Sequence, residues 1–120
     1  MVAYALTPSA QLTRTSYEGV VRKHGDGRIC LTTSTGYPFE FFLWRDRNIR
    51  TYVCFILRQP GYARRPDGFE ETHRAPTANG GFEICFRAHS APKTLPHAIA
   101  LVEIWAELTS RYIRTGERFD

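Results

Sequence analysis

The chain has 120 residues, 42% apolar and 13% aromatic side chains, and a formal net charge of +4. This is enough chain for one domain with a buried core, and the sequence lacks the run of about eighteen apolar residues that a membrane-spanning helix needs. All of the positive excess lies in the first sixty residues, around Arg14, Arg22, Lys23, Arg28, Arg45, Arg47 and Arg50, a bias too mild to be a nucleic-acid footprint.

Residues 1–6 read as an extended arm or edge strand. Thr7-Pro8 places a cap before a proline at the first helical position, so residues 8–13 can make a turn or two of helix. The first eleven residues lack the charged flank and apolar run of a signal peptide, so the expected location is cytoplasmic. In residues 16–24, Tyr17, Gly19 and Val21 alternate with Glu18, Val20 and Arg22. Gly25-Asp26-Gly27 is a turn signal, and residues 28–33 answer it, with Ile29 and Leu31 on one face and Cys30 and Thr32 on the other. The pattern predicts a β-hairpin over residues 16–34.

Ser34-Thr35-Gly36 turns the chain again, and Pro38 opens a strand, a place where its missing N–H is tolerated. Phe39, Phe41 and Leu43 share one face of that strand; Glu40, Phe42 and Trp44 share the other. After a turn at residues 45–48, Tyr52, Cys54 and Ile56 oppose Val53, Phe55 and Leu57. Both faces are apolar, which predicts a central strand covered on both sides. Residues 59–81 break the rhythm. They are rich in Pro, Gly and charge, with Tyr62 and Phe69 the only large apolar groups, and are expected to form a long loop or flap, with a poorly formed extra hairpin around Gly68 as the alternative. Alternation resumes over residues 82–89, where Phe82, Ile84 and Phe86 oppose Glu83, Cys85 and Arg87.

The last element is the most regular. Ala98, Leu101, Val102, Trp105, Leu108, Tyr112 and Ile113 recur at helical spacing, with Glu103, Glu107, Arg111 and Arg114 mainly opposite. Thr94 can cap the start, Pro96 sits harmlessly in the first turn, and Gly116 suits a left-handed stop. The expected class is therefore α+β. A mostly antiparallel sheet of about five strands packs against one long C-terminal helix, either open or curved into a half-barrel, in a single domain 1–120.

No motif fixes a chemistry. His24, His73, His89 and His97 lack metal-ligand spacing, no cofactor fingerprint is present, and the odd set of Cys30, Cys54 and Cys85 reads as small buried hydrophobes rather than a disulfide framework. Glu70, Glu71 and His73, with Glu40, are the acid–base candidates, but a solvated loop predicts the same residues.

One helix covers one face of a sheet, so the surplus of rings implies a second apolar face. The leading expectation is a non-catalytic binding protein whose aromatic sheet face meets a protein partner or a second copy of itself. The binding candidates are Phe42, Trp44, Arg45, Arg47, Phe55, Tyr62, Arg64, Arg65, Phe69 and Trp105. An alternative places a small molecule between sheet and helix, lined by Phe39, Phe41, Phe55 and Trp105 and roofed by residues 59–81, as a binding module or modest enzyme. A weaker alternative uses the arginines and rings for single-stranded nucleic acid, although Asp46, Asp67, Glu70 and Glu71 interrupt every basic cluster.

Overall fold

Alternating side chains in residues 28–58 build the centre of the molecule. A computed structural model describes residues 27–78, 80–86 and 91–119. In it β1 (Arg28–Thr32), β2 (Pro38–Asp46), β3 (Thr51–Arg58), β4 (Arg74–Pro76) and β5 (Phe82–Ile84) form one sheet in the order β1-β2-β3-β5-β4. Every neighbouring pair is antiparallel. The strand expected at residues 16–24, the arm 1–6, the short helix 8–13 and His24 lie outside the described residues, as does His89.

Local chemistry makes the turns. Thr33 accepts the Gly36 N–H through its carbonyl and the Tyr37 N–H through its hydroxyl, closing β1 onto β2. At the other end Asp46 folds the chain back on itself. Its carboxylate accepts the Asn48 N–H at 2.8 Å and its carbonyl accepts the Arg50 N–H, with Arg50 left-handed at φ 58°. Between Glu40 and Phe41 the β2–β3 register slips by one residue, leaving Leu57 without a partner on β2.

Helix α2 (Leu95–Thr115) lies against one face of the sheet. Its ends follow the cap residues: Thr94 accepts the His97 N–H, and Gly116 turns left-handed at φ 78° while donating its N–H to the Tyr112 carbonyl. Ile29, Leu31, Phe39, Phe41, Leu43, Cys54 and Ile84 meet Ala98, Leu101, Val102 and Trp105 in a core where each is at most 9% exposed. Burying a side chain of that size is worth about 1.5–3 kcal/mol, so this layer supplies most of the driving force for the fold.

Two expectations need correction. The helix is not one-sided, because Ile99, Ala100, Ile104 and Ala106 are buried as well as the predicted stripe, of which Leu108 alone is only partly buried. Nor are residues 59–81 without structure: they contain a short helix, α1 (Phe69–Thr72), and β4. Pro, Gly and charge hid both elements: β4 is held by pairing with β5, and the segment that carries α1 by bonds to α2. The Trp105 indole N–H donates to the Thr72 carbonyl, the Tyr112 hydroxyl donates to the Pro66 carbonyl, and Arg65 donates to the Ile113 and Arg114 carbonyls at the end of α2.

Candidate binding face

The pleat that points Phe39, Phe41 and Leu43 at α2 sends Glu40, Phe42 and Trp44 to the opposite face. Registers then assemble that face in rows. Arg28, Phe42, Phe55, Glu83 and Ala75 lie side by side across all five strands. One row away, Trp44 is beside Val53; on the other side, Cys30, Glu40 and Arg58 align. The result is an apolar centre of Phe42, Val53 and Phe55 with Trp44 and Leu57 about half exposed, at 49% and 48%. Its rim is charged: Arg28 pairs with Glu40 at 3.5 Å across β1 and β2, Arg58 is exposed, and Glu83 makes no ion pair among the described residues.

Two depressions lie along the β3–β5 junction, lined by residues of both faces, Ile56 among them in the first. A groove of about 250 Å³ is lined by Phe42, Phe55, Leu57 and Phe82, with Thr77 and Gly81 from the β4–β5 turn. Nearer the β2–β3 turn, β5 diverges from β3 beyond Glu83 and leaves a cleft of about 420 Å³ that runs through the sheet edge, with Ile49, Val53 and Glu83 at one side and Tyr52, Ile84 and Phe86 of the core at the other. Ile49 at its lip is 60% exposed. Large apolar side chains gathered in this way, rimmed by charge, are what interaction surfaces carry.

The ten candidate residues separate into groups. Phe42, Trp44 and Phe55 share the face, and Arg45 and Arg47 stand exposed at its β2–β3 end. Trp105 is completely buried on the other side of the sheet, edge-on to Phe39 and Phe41 with ring centroids 5.9 Å away in each case. Tyr62 is buried against Tyr112 and Ile113, while Arg64 is exposed and Arg65 is engaged with the end of α2. Phe69 is 54% exposed on α1, in a different element from the sheet patch.

The residues expected to line a pocket between sheet and helix do not enclose one space. Phe39, Phe41 and Trp105 pack ring on ring, and Phe55 faces away from them. The acid–base candidates have other partners. Glu40 pairs with Arg28 on the far face, Glu71 with Arg118 at 3.8 Å, and the His73 ring meets Phe119. Among the described residues no three His, Cys, Asp or Glu side chains come together to hold a metal ion, and no helix is long and apolar enough to cross a membrane.

Residues absent from the binding candidates but present on or at the face are Arg28, Cys30, Ile49, Val53, Leu57, Arg58 and Glu83. The alternation of β3 already placed Val53 and Leu57 beside Phe55. Arg28 and Glu83 needed the strand order. Cys30 corrects another expectation: its neighbours suggested a buried thiol, yet its register beside Glu40 puts it on the face opposite α2, where it is exposed, whereas Cys54 on the helix side is fully buried. The chain matches no family model, no curated protein and no solved structure.

Proposed function

We propose that this protein is a non-catalytic binding protein that engages another polypeptide through the sheet face opposite α2. One observation carries the reading: Phe42, Val53 and Phe55 form a continuous apolar centre whose flanking Trp44 and Leu57 are half exposed, although α2 has its own complete core on the other side. An exposed tryptophan at the edge of such a centre is the type of residue that dominates binding energy at protein interfaces.

The test is site-specific photo-crosslinking in cells, with a photoreactive phenylalanine analogue replacing Trp44 and, separately, exposed Arg111 on α2. Discrete adducts are expected from position 44 and none from position 111. No adduct at position 44, or equal adducts at both, overturns the reading.

A further inference from the structure

We infer that the polypeptide meeting this face is a second copy of the same chain. The two copies dock sheet to sheet about a two-fold axis that runs parallel to the strands between β2 and β3. The inference rests on reading the face as protein-binding and adds the identity and geometry of the partner.

Strand order supplies the argument. The row Arg28–Phe42–Phe55–Glu83 reads, from β1 to β5, cation, ring, ring, anion. A two-fold axis lying in the interface between β2 and β3 exchanges the two halves of that row and keeps each residue at its own height along the strand. Phe42 then lies over the partner's Phe55, and Arg28 over the partner's Glu83. The adjoining rows obey the same operation. Trp44 covers the partner's Val53, and Glu40 covers the partner's Arg58. In these rows Phe42, Phe55, Trp44 and Val53 meet one another, and Arg28, Glu83, Glu40 and Arg58 meet opposite charges; Leu57, at the bulge, lies outside the matched rows.

The alternative in-plane axis, perpendicular to the strands, fails on the same rows. It would hold the Phe42 row in place and lay Trp44 and Val53 over Glu40 and Arg58, burying charges beneath apolar groups without partners. The parallel axis also suits the geometry of packed sheets, which keep their strands within about 30° of each other at a spacing of about 10 Å. Long side chains such as Arg28 and Glu83 span the small offset this angle introduces.

Within one chain the Arg28–Glu40 pair is partly exposed, with side chains 54% and 27% accessible, so it is weak there. Docking would remove water and give Arg28 a second carboxylate. Two-fold symmetry forms each contact twice, so a single substitution alters two places at once.

Sedimentation velocity on the full chain over a wide concentration range tests this. Wild type is expected to reach twice the 13.8 kDa chain mass, while Trp44→Asp stays monomeric. Arg28→Glu and Glu83→Arg should each weaken dimerisation by about tenfold or more through like-charge contacts. An equimolar mixture of these two variants should recover a heterodimer, because both exchanged contacts are then of opposite sign. A wild type that is monomeric throughout overturns the second copy as partner. In that case a position-44 crosslink of some other mass leaves the binding face standing, whereas no crosslink removes both readings. A dimer indifferent to the charge reversals overturns the proposed axis.

Discussion

The indole N–H of Trp105 donates to the Thr72 carbonyl at 2.9 Å, and both residues are almost fully buried. This bond joins the middle of α2 to the turn that ends α1. The same ring lies edge-on to Phe39 and Phe41 of β2. One side chain thus ties together the sheet, the helix and the irregular segment. Trp105→Phe keeps an aromatic ring but removes the donor, stranding a buried carbonyl beside a small cavity. The expected loss is about 2–4 kcal/mol, read from urea midpoints followed by far-ultraviolet circular dichroism.

Tyr112 fastens the same segment further along, where its hydroxyl donates to the Pro66 carbonyl at 2.6 Å. Tyr112→Phe removes that bond and little else, and a partly buried bond of this kind is worth about 1 kcal/mol. The larger effect is local. Trypsin should cut after Arg64 faster in the variant than in wild type, with little change at Arg111 within α2.

Gly27 sets the beginning of β1. It has φ +72°, its carbonyl accepts the Leu43 N–H at 2.8 Å, and a Cβ built there would stand 2.2 Å from the Leu43 carbonyl oxygen. That contact is with backbone and cannot be relieved by a rotamer. Gly27→Ala therefore carries both left-handed strain and a clash, and should cost about 3 kcal/mol or more. Differential scanning calorimetry against a Gly36→Ala control makes the distinction. Gly36 also has positive φ, at 90°, but a Cβ there meets nothing, so its cost is expected to be the smaller.

Cys54 gives the fold an alkaline weakness. Complete burial, with the Glu83 carboxylate adding to it, pushes the thiol well above its ordinary value. Once the pH passes the ordinary thiol pKa, the unfolded chain releases this proton while the native state keeps it. Stability therefore falls as pH rises, by up to about 1.4 kcal/mol per pH unit from this group. Cys54→Ala should remove that part of the slope in urea titrations from about pH 8 to about pH 10, at a fixed cost of about 1 kcal/mol for the lost packing. A thiol reagent at neutral pH should label exposed Cys30 rapidly and Cys54 only upon unfolding.

Much of this protein follows from local pattern. The long helix with Thr94 and Gly116 as its caps, the two faces of β2, and the apolar surplus opposite the helix all rest on spacings of two to four residues. Backbone geometry converts such spacings directly into faces. The same spacing put Phe42 and Trp44 on one side of β2; that Phe55 joins them was decided by the β2–β3 register.

Residues 59–76 and the charged rim could only be settled by the tertiary structure. The bonds Trp105–Thr72, Tyr112–Pro66 and Arg65–Ile113 span 33, 46 and 48 residues, so no local window contains both partners. Tyr62 looked equivalent to Trp44 as an aromatic candidate, and Trp105 of the helix stripe was a candidate pocket lining, yet packing filled the space around both. Arg28 and Glu83 belong to one row because β5, not β4, pairs with β3. Periodicity assigns a side chain to a face; strand order and long-range hydrogen bonds choose its neighbours, and those neighbours decide whether it is core, rim or contact.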